Sequence, residues 1–353
     1  MTDQTDLTSI AVHGGTRLPA VDIDSYNSEI KDAEGFVGDR ASKGAFRDLI
    51  EQWRKPLRKA GQDPLGDEPS DALGKKQLDA LLAMGDTDAA GVLQSAMEGF
   101  AQELAGVIRR FLALKAWRDT KRIAIGGGLM ASRVGALAIG RTAVILKADE
   151  VAVDLASIHN DPDEAGLIGA VQLAPRWIFE GHDAILAADI GGTNIRAGVV
   201  SLNLKKASDL SKASVWKSEL WRHGTEKRVS RQSAVDRLVE MLRGLIKRAE
   251  KEELHLAPFI GIGCPGTITT DGTIERGAQN LPGNWEGKSF NLPGTLREAI
   301  PAIGEHDTAI TLHNDAVVQG LSEVPYMGEV DCWGVLTIGT GLGNAHFCNR
   351  TER

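Results

Sequence analysis

AILAADIGGTNIRAGVVSL, residues 184–202, is the stretch that decides the fold. Two apolar runs of strand length flank Gly191-Gly192-Thr193-Asn194, the composition of a β-hairpin with its polar residues held at the tip. Consecutive glycines at such a tip leave backbone N–H groups pointing outward as an anion-binding nest, suited to phosphate oxygens. Asp189 beside the nest cannot favour a phosphate directly, and makes sense if a hydrated divalent cation, Mg²⁺, lies between them. Arg196 follows on the second strand. The alternative is an ordinary Gly-Gly hairpin turn.

Outward from the hairpin, three further apolar runs each end in a polar or glycine turn: PFIGIGCPG (258–266), AITLHNDA (309–316) and WGVLTIGTGLG (333–343). Between them, Ser233 to Lys251 repeats Val235, Leu238, Val239, Leu242, Leu245 and Ile246 at helical spacing. Upstream, Asp86 is positioned to cap a long helix to about Lys115, with Val92, Ala96, Phe100, Leu104, Val107, Ile108 and Phe111 on one face. Lys43 to about Arg58 carries a shorter helical pattern, and GQDPLGDEPSD (61–71) reads as a loop. KRIAIGGGLMASR (121–133) is a buried strand breaking into Gly126-Gly127-Gly128, and EVAVDLASIH (150–159) alternates as a strand should. DPDEAGLIGAVQLAP (161–175) is a helix opened by Asp161 or Asp163, and the first forty residues read as an irregular arm or short extended pieces. Strands alternating with helices, each strand ending in a ligand-sized turn, give an α/β architecture with its chemistry at strand ends.

The strand-end residues define candidate roles. Gly339-Thr340-Gly341-Leu342-Gly343 is a second phosphate cradle without the Lys-Ser/Thr of a Walker A loop. Asn314-Asp315 suits a general base taking a proton from a sugar hydroxyl while the amide binds a neighbouring hydroxyl; the alternative is a helix N-cap. Asn280-Leu281-Pro282-Gly283-Asn284-Trp285 offers two amides beside an aromatic ring, a polyol-binding combination, or else a proline-glycine turn anchored by a buried Trp. The triple glycine at 126–128 leaves room for an adenine ring against the backbone, or is merely a turn.

Taken together these motifs resemble the ROK family, the bacterial glucokinase-like branch of the actin, hexokinase and heat-shock ATPase superfamily. Asp189 to Arg196 is similar to the family's first phosphate motif and Gly339 to Gly343 to its second. Gly263-Cys264-Pro265-Gly266 resembles the strand end ahead of the sugar site, Asn280 to Trp285 the sugar loop, and Asn314-Asp315 the sugar-binding amide and catalytic base. Gly85 to Gly128 resembles the late helix leading to the adenosine motif, and Ala165 to Ala174 the final helix, so the resemblance spans about Ser42 to Arg350. It implies a two-lobed actin-like ATPase (ribonuclease H-like) α/β fold. It also implies ATP and Mg²⁺ as cofactors, and a sugar, most simply glucose, entering between lobes that close. The implied sugar contacts are Asn280, Asn284, Asn314 and Gly266. Asp189, Gly191, Gly192, Thr193, Asn194 and Arg196, with the two later glycine motifs, would take the nucleotide, and Asp189 the Mg²⁺ through water.

The motif order departs from the family's: the triple glycine precedes the hairpin, with Pro175 to Asp183 as the join. A circular permutation with new termini just after Gly343 accounts for this. It gives a large lobe from 1–158 plus 318–353 and a small lobe from 159–317. A swapped homodimer is the other account. The family's Glu-x-Gly-His sugar element is absent after the second phosphate motif, and Glu34 in DAEGFVGD stands nearest the expected place.

Composition excludes other classes. The formal charge of −8 without a basic block advertises neither nucleic-acid nor membrane-surface binding. No basic helix pair precedes either half, as a DNA-binding regulator of this family would need. The N-terminus MTDQTDLTSI lacks a signal-peptide pattern, and no apolar run reaches the roughly 18 residues of a membrane span. The three cysteines, odd in number and widely spaced, suggest neither a disulfide framework nor zinc. A cytoplasmic sugar kinase is the expectation, with a non-catalytic sugar or nucleotide sensor of the same fold as the alternative.

Overall fold

The computed structural model describes residues 12–84 and 86–350. The polar start MTDQTDLTSI and Gly85 lie outside the described residues. The chain divides into two compact units. One comprises the residues up to Asn27, Glu164–Glu329 and those from Phe347 onward; the other comprises Ser28–Asp163 and Val330–His346.

The first unit is built on a five-stranded sheet with strand order Ala309–Asn314, Leu256–Cys264, Ala184–Ile190, Ile195–Ser201, Ser214–Trp221. The expected hairpin is the antiparallel pair Ala184–Ile190 and Ile195–Ser201, and Leu256–Cys264 and Ala309–Asn314 run parallel to its first strand. Parallel strands finish at the same end of a sheet, so Asp189, Gly263 and Asn314 come to one edge through the register Asp189↔Gly263 and Asn314↔Cys264. The amphipathic helix Arg231–Lys251 starts in a Ser230 capping box and buries Val235, Leu238, Met241, Leu242 and Leu245 in the sheet's core. The helix read from DPDEAGLIGAVQLAP is α-helical over Pro162–Gly169 and then tightens to a 3₁₀ turn over Ala170–Leu173.

Described residues near both ends, Leu18, Ala20 and Arg350, belong to this unit. Arg350 donates its backbone N–H to Ala20 O at 3.0 Å and its guanidinium to Leu18 O at 2.8 Å. The strand Val21–Tyr26 belongs to this unit, as do the last residues of Leu342–Asn349. VDIDSY buries Val21 and Ile23 and exposes Asp22 and Asp24, so part of the expected irregular arm is a regular strand.

In the second unit the strands lie in the order Leu342–Asn349, Cys332–Ile338, Arg122–Gly126, Asp154–Ser157, the last three mutually parallel. The long helix runs Thr87–Leu112, and its Asp86 N-cap accepts from Ala89 N at 2.7 Å. Its buried face, with Phe100, Leu104 and Ile108, forms the core with Phe46, Ile50 and Trp117. The helix Lys75–Met84, for which no periodic signal was read, follows the 61–71 loop. That loop is tied down by Arg54, fully buried, whose guanidinium reaches Asp63 and the carbonyls of Gly66 and Glu68.

Among the described residues Cys264 is the free cysteine and is fully buried, whereas Cys332 and Cys348 are disulfide-bonded, contrary to the reading of their number and spacing. No helix among the described residues is long and apolar enough to cross a membrane.

Candidate active site

In the first unit the glycine hairpin tip is closed by Gly191 N–H donating to Asn194 O at 2.8 Å. It is braced from outside. His223, buried, donates from Nε2 to Gly191 O at 2.9 Å, and Gly224 N–H donates to Thr193 O at 2.9 Å. A Cβ on Gly192 would meet Asn280 Cβ at 3.0 Å, so the 280–285 loop and the hairpin tip are neighbours. Thr193 and Asn194 face solvent at the tip, and Asp189 and Arg196 are direct cross-strand partners just behind it.

Asp189 and Asp315 meet around Gly263. A Cβ there would lie 3.5 Å from both Asp189 Oδ1 and Asp315 Cα, and one on Gly166 would meet the Asp189 carboxyl carbon at 2.7 Å. The clash at Gly166 means that glycine there is what leaves room for the carboxylate, whereas the approach at Gly263 is ordinary van der Waals contact. Burial, and then the Asp189 carboxylate, push Asp315 up to about 7. Burial followed by the same two carboxylates drives the Cys264 thiol well above its ordinary value, so this cysteine is no nucleophile.

Asn314 realises the N-cap reading. Its Oδ1 accepts from Ala316 N at 3.0 Å and Val317 N at 3.3 Å, opening the helix Asp315–Leu321. Its Nδ2 donates to Gly266 O at 3.0 Å, and the residue is buried. Gly266 is buried too, with φ +106 and its carbonyl taken by Asn314. Both residues thus shape the backbone that presents Asp315. In the 280–285 loop, Asn280 and Asn284 are exposed, but Trp285 is fully buried and donates Nε1 to Pro282 O at 2.8 Å. The ring anchors the Pro-Gly turn, and the expectation that it faces a sugar is corrected. Asn284 Oδ1 accepts from Glu286 N at 2.9 Å, and its carbonyl accepts from Arg231.

In the second unit Gly126 pairs with Thr337, and Gly127, at φ +109, lies against Ile338, where a Cβ would sit 2.0 Å from its carbonyl oxygen. The triple glycine and the Gly339–Gly343 turn are therefore adjacent. Gly339 O accepts from Lys43 N at 2.9 Å, at the start of the helix Lys43–Lys59, and its N–H donates to Gly341 O at 2.9 Å. Thr340 is exposed and open space surrounds Gly128 and Gly341. A cavity of about 270 Å³ is lined by Ile125 and Met130, which flank the triple glycine, with Ser157, His159 and Asn160. A larger cavity of about 520 Å³, lined by Asp79, Leu82, Met97, Glu98 and Arg141, touches none of the strand-end residues. Glu34 lies at an exposed hairpin tip, its carboxylate 3.7 Å from Arg40.

Sequence reading missed His223, His313 and the cavity residues Ser157, His159 and Asn160. The first two brace backbone through one or two ring contacts, which leave no periodic signal. SIHN at the end of an alternating strand was available as a strand-end signal.

No family model matches the chain, and no curated protein matches it. Among solved structures it is similar to a ROK family glucokinase from Streptomyces griseus in complex with glucose and AMPPNP. Identity is 21%, over 48% of this chain and 47% of that chain, at a TM-score of 0.35. It is also similar to ROK hexokinase from Thermus thermophilus at 25% identity, over 46% of this chain and 45% of that one, at a TM-score of 0.32. The chain spans about half the length of these structures. Overlays this partial carry no weight for fold or activity, so the chemistry has to stand on the residues themselves.

Proposed function

We propose that this chain is an ATP-dependent sugar kinase of the ROK type, with a circularly permuted actin-like fold, that phosphorylates a hexose, glucose first. The observation that carries the reading is the placement of Asp315 and Asp189 around Gly263 behind a glycine phosphate turn, with Asp315 pushed up to about 7. A carboxylate poised near neutrality is matched to accepting a hydroxyl proton at working pH. The bond formed joins the sugar oxygen to the γ-phosphorus, the bond to the β,γ-bridging oxygen breaks, and the proton passes to Asp315.

The residues fit a divalent cation. Asp189 offers oxygen donors in a cradle that a Cβ at Gly166 would fill, and its carboxylate raises the cost of ionising Asp315. When bound, Mg²⁺ would neutralise charge on the transferring phosphates. Gly191 to Asn194 would hold phosphate oxygens on backbone N–H groups, with Arg196 behind them. Asn280 and Asn284 would meet sugar hydroxyls. Asn314 and Gly266 would act through the backbone that presents Asp315. In the second unit, Gly339 to Gly343 would take phosphate, and Gly126 to Gly128 with the 270 Å³ cavity the nucleoside.

The test is coupled ADP release across a panel of hexoses, with and without Mg²⁺. Turnover on one hexose that vanishes on chelation is the expected result. Sugar binding without turnover on any hexose would replace this reading with that of a non-catalytic sensor.

A further inference from the structure

Resting on the kinase reading, we propose that residues His13–Gly15 and the buried ring of His313 form a brace that positions Asp315, making His313 a positioning residue of the site. The strand Ala309–Asn314 is the last of its sheet, so one edge is open for pairing. The segment occupies that edge: Gly14 N–H donates to Leu312 O at 2.9 Å, and Leu312 N–H donates to His13 Nδ1 at 3.2 Å. His313 completes the link. Its Nδ1 accepts Asn314 N–H at 2.8 Å, and its Nε2 meets Gly15 O at 3.1 Å.

These partners fix the tautomer. A backbone N–H can only donate and a carbonyl can only accept, so the proton stands on Nε2 and Nδ1 is bare. The ring is therefore neutral, and burial lowers its pKa to about 4. Tyr26 covers it edge-on at 5.1 Å, and Tyr26 Oη contacts the backbone of Ile268. The consequence lies one residue on. The N–H of Asn314 is held by His313, its Nδ2 by Gly266 and its Oδ1 by the first turn of the helix that Asp315 begins. The peptide that aims the base is locked, and one lock runs through the ring to a residue 298 positions away in sequence. Gly14 is what lets the segment pass. It sits at φ +56, where a Cβ would meet Ile268 O at 2.1 Å.

The two halves of the brace can be cut separately. In His313→Asn the side-chain oxygen replaces Nδ1 and keeps the local bond while the link to Gly15 is lost; His313→Gln does the reverse. Gly14→Ala displaces the segment without touching the ring. Misplacing a base by an ångström costs up to about a hundredfold, so each His variant is expected to lose about ten- to hundredfold in kcat. KM and sugar affinity should stay within about twofold. The double variant His313→Asn/Gly14→Ala should be no worse than His313→Asn alone, because both cut one connection. Folded variants with unchanged kcat, or losses that multiply in the double variant, would overturn the brace.

A second readout needs no turnover. ¹⁵N spectra of the histidine rings should show His313 with a protonated Nε2 and bare Nδ1 throughout about pH 5 to 9, with Asn314 amide exchange slow in the wild type and faster in Gly14→Ala. A ring that titrates in that range, or an amide indifferent to Gly14, defeats the brace even if the kinase is active. Failure of every hexose in the ADP assay would instead defeat the kinase reading while this spectrum still decides the brace.

Discussion

The two glycine turns differ in what surrounds them. Gly191 to Asn194 is held on several sides: by its own closing bond, by His223 and Gly224, and by Asn280 against Gly192. Gly339 to Gly341 is held by Lys43 N–H and one internal bond, with nothing within 4 Å of where a Cβ on Gly341 would go. The first turn stands beside two carboxylates at the end of a sheet; the second exposes Gly339 and Thr340 to solvent. On the kinase reading, a turn that keeps charge in register is braced, while a turn that admits a bulky ligand is left open: the first aligns the reacting phosphate and the second accommodates the nucleotide.

This contrast can be broken at several points. Among the changes at the two turns, the largest effect belongs to the charge behind the braced one. Asp189→Asn should lower Mg²⁺-dependent turnover by about 10²–10³ while leaving the melting temperature near that of the wild type. Near-normal rates would remove Asp189 from the cation's site. The next effect is on stability. The pKa of Asp315 rises from an ordinary 3.8 to about 7 on folding, so folding disfavours its charged form. That penalty is absent below about pH 4, grows as pH rises, and is complete above about 7. Asp315→Asn should therefore stabilise the protein at pH 8, by on the order of 2–4 kcal/mol, and not at pH 4. Denaturant midpoints at the two pH values check the sign, and equal shifts at both would exclude a raised pKa. The smallest effect compares the turns directly. Gly192→Ala pushes on Asn280 and should weaken nucleotide binding roughly tenfold, whereas Gly341→Ala enters open space and should stay within about twofold. Equal losses at the two positions would erase the distinction.

Much of the fold was legible because its signals are periodic. The helices Thr87–Leu112 and Arg231–Lys251 announce themselves through apolar spacing and Asp86 or serine caps, and the hairpin through two apolar runs around Gly-Gly. Val21–Tyr26 carried the alternation of a strand but was read as part of an irregular arm, since a single short strand shows its value only when its partner is known. Lys75–Met84 was hidden behind a run of turn residues. In the site, the chemical identities of Asp189 and Asp315 could be read from strand ends, but the surroundings of their neighbours could not. Trp285 looks the same in sequence whether it faces a sugar or the core, and Asn314 whether it binds a hydroxyl or caps a helix. His223 and His313 act by one or two bonds to distant backbone, which only the assembled sheet brings near.

The central claim is that Asp315 takes the proton of a sugar hydroxyl. Hexose-dependent ADP release by Asp315→Ala beside the wild type, with sugar affinity measured on both, tests it most directly. The account predicts loss of at least about a thousandfold in turnover with sugar binding retained. A variant that still turns over near the wild-type rate would contradict it.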